Sequence, residues 1–184
     1  MNSGADNYRR FLSGDNDGLA DLVRSYRDSL TLYIYSIVGD IDIAEELMED
    51  TFVRLYVYKP KYSGRSSFKT WLYSIGKHIA ADYIRRNSRI RQISSDTILD
   101  VADEANLEAD TIKSEESKML HKAIQRLKPE YEQVLYLSYF ENFSNEETAK
   151  IMKKTNRQVR NLLYNAKKAL KADLEKEGFV YENV

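Results

Sequence analysis

Cysteine is absent from this chain, and helix-breaking residues are scarce. The 184 residues include no Cys, 2 Pro and 7 Gly. Without Cys the protein has no disulfide, no thiolate metal ligand and no cysteine nucleophile, which fits a reducing compartment. Few Gly and Pro, together with 42% hydrophobic and 31% charged residues, favour an all-α fold.

Long hydrophobic runs are also missing. No apolar stretch approaches the roughly 18 residues of a membrane span. Residues 1–17 are polar and carry three Asp, which does not fit a signal peptide. We therefore expect a cytoplasmic protein without membrane insertion. The two histidines, His78 and His121, show no metal-ligand spacing, so we expect no metal and no cofactor.

Charge is arranged in blocks, although the formal net charge is only -1. Residues 1–58 contain 5 Lys/Arg and 11 Asp/Glu, whereas residues 59–91 contain 9 Lys/Arg and one acid. Residues 96–116 contain eight acids and one Lys, and residues 148–172 contain eight Lys/Arg and no acid. Solvated faces also produce such runs, but two separated basic blocks favour a nucleic-acid partner.

The hydrophobic pattern predicts two helical domains. Apolar residues recur every three or four positions in three N-terminal segments; Gly39 ends the first helix and Asp42 caps the second. The pattern is lost at 92–114 and returns in helices at 119–127, from Pro129 to Ser138, 145–152 and 156–175. We predict two small domains, at 1–91 and 118–184, joined by a flexible acidic linker at 92–117.

Residues 144–163 have the layout of a helix-turn-helix. Ser144 and Glu147 have capping-box spacing, and Ala149 permits a close helix crossing. Lys153 occupies the connecting position, where a positive φ often favours Gly. A plain helical hairpin would look similar, but donors for phosphates and base edges cluster on this unit.

Aromatic and basic residues alternate at a loop-to-helix junction between Tyr62 and Tyr73. Aromatic rings stack unpaired bases while Lys and Arg follow the phosphate backbone, so this composition suits single-stranded DNA. Phe68 and Trp71, three residues apart, are assigned mainly to packing. Tyr62, Tyr73 and the nearby basic residues are the predicted contacts.

Motifs from both halves of the chain resemble extracytoplasmic-function sigma factors. ELMEDTFVRLY at 46–56, SFKTWLYSI at 67–75 and DYIRR at 82–86 are similar to conserved region two of that family. LKPEY at 127–131, YFENFSNEETA at 139–149 and AKKAL at 166–170 are similar to region four. The similarity spans roughly residues 18–174, in the family's order and with an acidic linker between the regions.

The resemblance implies a protein that binds core RNA polymerase and directs it to promoters. Its implied partners are the clamp helices of the large polymerase subunit, the polymerase flap, promoter DNA and an anti-sigma factor. An acidic outer face on the second predicted helix would meet the basic clamp helices, although a solvated face would show the same pattern. The residues of this face are Glu45, Glu46, Glu49, Asp50 and Val53.

The resemblance also assigns the DNA contacts. Region two would melt and read the minus-ten element through Tyr62, Ser63, Arg65, Ser66, Lys69, Tyr73, Lys77, His78, Arg85 and Arg86. Region four would read the minus-thirty-five duplex through Lys154, Thr155, Asn156, Arg157, Gln158, Arg160, Asn161, Lys167 and Lys168. This chain departs from the family at His78, where Asn is usual, and at Lys153-Lys154, where Gly and an apolar residue are commoner.

Other classes of function explain less of the chain. A conventional helix-turn-helix regulator with an N-terminal helical sensing or dimerising domain leaves the junction at 62–73 without a role. An enzyme would need a phosphate-cradling Gly loop, a metal-ligand spacing or a Ser-centred elbow, and none is present. The acids at 45–50 could bind Mg²⁺, but no second acidic cluster matches them. We therefore predict no catalytic activity; a purely structural adaptor is the remaining alternative.

Overall fold

The computed structural model describes residues 3–93 and 115–176, which form helices and short connections without any strand among them. The linker predicted at 92–117 lies outside these residues apart from its two ends, and residues 177–184 also lie outside them. The described residues divide between two compact units. The prediction of an all-α protein with two small helical domains is confirmed.

Within residues 3–93 the first unit contains four helices: α1 (Ser3–Leu12), α2 (Asp17–Val38), α3 (Ile41–Tyr58) and α4 (Phe68–Ile93). The helix α2 packs against the other three, and α3 also packs against α4. Leu22, Leu30 and Ile34, spaced by eight and four along α2, are fully buried with Leu55 and Leu72. The apolar stripes predicted from three- and four-residue spacing therefore meet in one core.

The first helix, α1, was not predicted from the sequence. Most of its residues are polar, but it has a short apolar face formed by Ala5, Tyr8 and Phe11, which are 4%, 1% and 1% exposed. Such a short stripe is a weak signal because most of the stability of a ten-residue helix comes from packing rather than from its own sequence.

The helix ends follow local chemistry. Gly39 has a φ of 75° and its N–H donates to the Tyr35 carbonyl, which confirms it as the end of α2. The predicted cap of α3 was wrong. Asp40, rather than Asp42, lies in the extended conformation of an N-cap, and its carboxylate accepts a 3.0 Å hydrogen bond from the Ile43 N–H. Asp42 lies in the first turn, where its charge favours the helix N-terminus.

The second unit contains α5 (Glu115–Gln125), α6 (Pro129–Leu135), a π-helical turn (Tyr136–Phe140), most of α7 (Asn145–Met152) and α8 (Asn156–Lys176). The helix α8 packs against α5 and α6, and an ion pair of 2.8 Å joins Arg126, which directly follows α5, to Asp173 of α8. Pro129 stands in the first turn of α6, as predicted.

Among the described helices, none combines the length and the apolar composition that crossing a membrane requires.

Candidate functional site

The outer face of α3 carries the acids predicted to meet polymerase. Glu45, Glu46, Glu49 and Asp50 are exposed, and Val53 is 53% exposed. The opposite side of the helix, which includes Ala44, Met48 and Leu55, is buried in the first unit. The structure therefore brings all five predicted residues to the solvent side of one helix.

An apolar extension of this face was missed by the sequence reasoning. Tyr56 and Val57, one turn beyond Val53, are each 58% exposed. Beside them lies a groove of about 410 Å³ between α2 and α3. Residues of both helices line it: Leu19, Val23, Arg27, Met48, Glu49, Phe52, Val53 and Tyr56. The face is thus acidic in its first half and apolar in its second, so it suits a partner with both basic and apolar side chains.

The α3–α4 loop, residues 59–67, begins where Lys59 ends α3 with a φ of 42°. Its tip is exposed at Ser63 and Arg65, and Gly64 between them has a φ of 72°, a conformation that favours glycine. These residues offer charge and hydrogen-bonding groups at a point where the backbone can approach a ligand closely.

Tyr62 holds this loop in place through ring contacts and a hydrogen bond. Its ring lies 5.2 Å from the Trp71 ring and 5.6 Å from the Phe68 ring, centroid to centroid. Its hydroxyl donates to the carbonyl of Ser66, and both Tyr62 and Ser66 are half-buried. The assignment of Phe68 and Trp71 to packing is consistent with this cluster, in which Phe68 is fully buried.

Tyr73 is a correction to the predicted minus-ten contacts. Its side chain is fully buried, its ring stacks on Tyr33 at 5.3 Å, and its hydroxyl donates to Ser29 Oγ at 2.8 Å. Position 73 lies on the inner face of α4, with Leu72 and Gly76. A residue that fills the core cannot also stack on DNA, so Tyr73 is a packing residue.

Three of the other predicted minus-ten residues lie on the solvent side of α4. His78, Arg85 and Arg86 are exposed, whereas Lys69 and Lys77 are half-buried. Lys69 Nζ lies 5.8 Å from the centre of the Tyr73 ring.

Asp82 connects two of these residues and was not among the predictions. Its carboxylate lies 2.8 Å from an Arg85 guanidinium nitrogen and 3.5 Å from His78 Nε2. Their spacing of three and four residues places these groups on one helix face. This spacing is visible in the sequence and could have indicated that Asp82 lies beside His78 and Arg85.

The turn between α7 and α8 has the predicted helix-turn-helix features. Lys153 has a φ of 53°, which confirms the positive backbone angle expected at the connecting position. The Ser144 hydroxyl accepts from the Glu147 N–H at 3.2 Å, and the Glu147 carboxylate accepts from the Ser144 N–H at 3.1 Å. This reciprocal pair confirms the capping box.

A second capping box begins α8. The Gln158 side-chain oxygen accepts from the Thr155 N–H at 2.8 Å, and Thr155 Oγ1 accepts from the Gln158 N–H at 3.2 Å. The Lys154 ammonium pairs with Glu130 at 2.9 Å. Thr155, Gln158 and Lys154 therefore stabilise this unit in addition to any contact with DNA.

The exposed cations of α8 are the strongest candidates for phosphate contacts. Arg157, Arg160, Lys167 and Lys168 are exposed, as is Asn161, whereas Asn156 is half-buried at the start of the helix. Lys167 Nζ lies 5.1 Å from the Tyr139 ring centre. Residues 148–172 contain no acid, so the charge of this surface suits an anionic partner.

No group of three His, Cys, Asp or Glu residues suited to a metal ion occurs within residues 3–93 and 115–176.

Comparison with known families identifies both units. The family model for Sigma-70 region 2 matches residues 22–90, and the model for Sigma-70, region 4 matches residues 117–170. The chain belongs to the sigma-70 family. The matches to this sigma factor's two regions occur in the order expected from its motifs and together cover more than half of the chain.

Several curated sigma factors are similar to this one over most of their length. RNA polymerase sigma factor YlaC of Bacillus subtilis is 28% identical over 162 residues, which cover 87% of this chain and 94% of the relative. ECF RNA polymerase sigma factor SigX of the same species is 27% identical, covering 84% and 82%. ECF factor BldN of Streptomyces coelicolor is 30% identical, covering 88% of this chain and 62% of its own. The ECF factors among these relatives agree with the resemblance to that group in the sequence motifs.

Solved structures support the fold. Sigma factor RpoE from Bartonella quintana, in complex with the anti-sigma factor NepR, has a TM-score of 0.67 at 19% identity, covering 87% of this chain and 98% of that one. CnrH, in complex with the cytosolic domain of CnrY, has a TM-score of 0.63 at 18% identity, covering 95% and 96%. At these identities the likeness concerns the fold alone.

Proposed function

We propose that this sigma factor binds core RNA polymerase through the outer face of α3, captures the melted minus-ten strand with the α3–α4 loop and α4, and reads the minus-thirty-five duplex with α8. The observation that supports this most strongly is the presence of both sigma-70 regions in one chain. The protein is a promoter-directing transcription initiation factor, and the proposal assigns each step to a surface.

The polymerase contact is supported by the composition of the α3 face. Four exposed acids, Glu45, Glu46, Glu49 and Asp50, attract basic side chains, and Val53 adds apolar area beside the groove. Electrostatic complementarity of this kind steers association and selects the partner. We propose that the clamp helices of the large subunit dock here.

The minus-ten contact is supported by the exposed tip of the α3–α4 loop and by the cations of α4. Melting costs a few kcal/mol for each base taken out of the stack, and it is offset when the freed base finds a protein pocket. Ser63, Gly64 and Arg65 present hydrogen-bonding groups and charge at the tip. We propose that His78, Arg85 and Arg86 follow the strand along α4.

The minus-thirty-five contact is supported by the acid-free surface of α8. A recognition helix contacts base edges with its first residues and phosphates with its flanking cations. Asn156, Arg157 and Arg160 occupy the first turns, and Lys167 and Lys168 lie farther along the helix. We propose that Asn156 and Asn161 contact bases and that the cations contact phosphates.

We also propose the domain limits 1–91, 92–117 and 118–184, with the acidic linker following the RNA path of polymerase. RpoE is bound to the anti-sigma factor NepR in its structure, and we propose an inhibitor of the same kind here. Like other sigma factors the protein would act without catalysis, on cytoplasmic polymerase, with its region-four unit near the flap.

Reconstituted transcription tests this proposal. The full chain and sigma-free bacterial core polymerase would be incubated with linear DNA carrying a randomised upstream region, and the 5′ ends of the transcripts would be sequenced. We expect transcripts only when both proteins are present, from templates that share two upstream motifs. Tight duplex binding by the chain alone, with no complex with core polymerase, would instead support a conventional helix-turn-helix regulator.

A further inference from the structure

We infer that α1 sets the position of the α3–α4 loop, and that Tyr8 is the residue through which it acts. The inference rests on the proposed role of this loop in capturing the minus-ten strand. The helix α1 (Ser3–Leu12) precedes the residues that match Sigma-70 region 2, which begin at 22. Nothing in that match assigns α1 a part in promoter opening.

Tyr8 joins α1 directly to the start of the loop. Its hydroxyl donates a 2.7 Å hydrogen bond to the carbonyl of Pro60, 52 residues away in sequence. The side chain is 1% exposed, and a buried tyrosine hydroxyl usually donates a hydrogen bond to a protein acceptor. The hydroxyl therefore fixes one backbone atom of the loop relative to α1.

The loop begins at Lys59, whose N–H still donates to the Leu55 carbonyl of α3. Lys59 leaves the helical conformation with a φ of 42°, and Pro60 has no N–H with which to tie itself to α3. The end of the loop is held differently, because Ser67 Oγ accepts from the Thr70 N–H at 3.1 Å. The second half of the loop is thus anchored on α4, and the first half on α1.

The ring of Tyr8 reinforces the same contact. It lies 5.6 Å from the Phe68 ring and 5.3 Å from the Trp71 ring, the two rings against which Tyr62 packs. Tyr62 in turn donates to the Ser66 carbonyl. A continuous set of contacts therefore runs from α1 to both sides of the loop tip.

The helix α1 packs closely against α2 and α4. A Cβ atom placed on Gly4 would lie 2.7 Å from both Phe68 Cδ1 and Tyr26 Oη, so α1 approaches α2 and α4 as closely as a glycine allows. Phe11 is 1% exposed, and Lys59 Nζ lies 5.2 Å from the centre of its ring. A rigid α1 can impose a fixed position on Pro60.

A loop held in its binding conformation loses less entropy when it captures a base. Tyr8 is buried and would touch no DNA, so it is a positioning residue that acts through Pro60 on the exposed tip at Ser63 and Arg65. Its removal should therefore affect strand capture while leaving the α3 face and the second unit unchanged.

Replacing Tyr8 with Phe keeps the ring and removes only the hydroxyl. The matched control is Tyr73→Phe, which removes an equally buried hydroxyl, bonded to Ser29 at 2.8 Å, from the core of the same unit. Unchanged fluorescence of Trp71, the single tryptophan, would show that the aromatic cluster stays intact. Both full-length variants would be assembled with core polymerase on a promoter recovered from the randomised pool.

Permanganate reactivity of minus-ten thymines, at matched occupancy, measures open complex. We expect Tyr8→Phe to reduce the ratio of open to closed complex by about five-fold, the factor for one ordinary hydrogen bond, while Tyr73→Phe leaves it unchanged. In the free chain, the amides of residues 61–66 should exchange hydrogen faster in Tyr8→Phe than in Tyr73→Phe.

The two measurements separate the possible failures. Equal opening and equal loop exchange in the two variants would overturn the role of Tyr8. If the parent chain opens no promoter, the proposed function fails, and the exchange comparison still decides whether Tyr8 holds the loop. Faster exchange in Tyr8→Phe without any loss of opening would show that α1 orders the loop but does not serve strand capture, which would also overturn the inference.

Discussion

Lys153 adopts a positive φ of 53° without being glycine. The left-handed conformation costs an L-residue roughly 1–2 kcal/mol. Glycine avoids this cost, but it loses more conformational entropy on folding, which offsets part of the gain. We expect Lys153→Gly to stabilise the protein by about 0.5 kcal/mol, measured by chemical denaturation. Lys150→Gly, inside α7, should instead destabilise it by about 1 kcal/mol. Destabilisation by both would contradict this account of the turn.

Glu132 is an ionisable residue on α6 that is half-buried, and desolvation raises the pKa of its carboxyl from 4.5 to about 7. Between these two pH values the unfolded chain has released this proton while the folded chain still holds it. Stability therefore falls as pH rises from about 4.5 to 7 and stays low above that window.

Glu132→Gln tests this pH dependence. Glutamine stays neutral, so the variant should gain on the order of 2 kcal/mol relative to the parent above pH 7 and little near pH 5. Glu130→Gln is the control on the same turn, since Glu130 is exposed and paired with Lys154. Thermal melting between about pH 5 and pH 8 measures the difference. Parallel curves for the parent and Glu132→Gln would show that Glu132 does not cause it.

At the scale of elements, α8 combines two tasks along one helix. Val159, Ala166 and Leu174 are buried against the rest of the second unit, while the cations point to solvent. This division lets the exposed face change its charge without disturbing the core.

The exposed cations of α8 are expected to contact phosphates. For promoter binding, log K falls as log salt rises. Arg157→Ala and Arg160→Ala should each make this negative slope shallower, by about 0.9 for every phosphate that the variant no longer neutralises. Lys171→Ala is the control, because Lys171 lies farther along α8 and pairs with Glu175 at 3.7 Å. Filter binding of the holoenzyme over a range of salt concentrations gives the slopes. Unchanged slopes in both Arg variants would exclude them from the interface.

At the scale of the whole molecule, polymerase binding and duplex binding are assigned to separate units. The acidic face lies on α3 of the first unit and the cations lie on α8 of the second. Substitutions at separate sites with no shared contacts should have additive effects on the free energy of binding. The two surfaces can therefore be tested against each other in the same protein.

Glu46→Lys combined with Glu49→Lys should weaken core-polymerase binding at least ten-fold, roughly 1.4 kcal/mol, because reversed charge repels a basic partner. The fold should survive, since both side chains are exposed. Asp6→Lys with Asp28→Lys makes the same change in net charge on α1 and α2 and should bind as the parent does. Competition for core polymerase measures affinity. If the α3 variant competes as well as this control, the assignment of the face is wrong.

Local signals predicted much of the fold. Three features depend only on the conformations and hydrogen bonds of a few neighbouring residues: the end of α2 at Gly39, the start of α6 at Pro129 and the Ser144–Glu147 capping box. The structure has each as predicted. Lys153 belongs to the same group, because a tight connection between two helices demands its backbone angle. Interactions of this range are visible in one stretch of sequence.

Signals of longer range were missed or misjudged. The sequence placed Tyr73 among the DNA contacts because an aromatic residue beside basic ones fits either a core or a binding surface, and only the packing of α4 on α2 decided between them. The cap at Asp40 and the helix α1 were missed for similar reasons, since two acids separated by one residue and a three-residue stripe each allow more than one outcome.

The sequence by itself determined the helical class, the two units, the family and the separation of acidic from basic surfaces, because periodicity and charge blocks are properties of consecutive residues. Only the tertiary structure decided which helix faces meet. That choice created the groove beside Val53, buried Tyr73, and placed the Tyr8 hydroxyl on the carbonyl of Pro60. Contacts between residues far apart in the chain depend on the relative position of whole helices, which the pattern within any one helix leaves open.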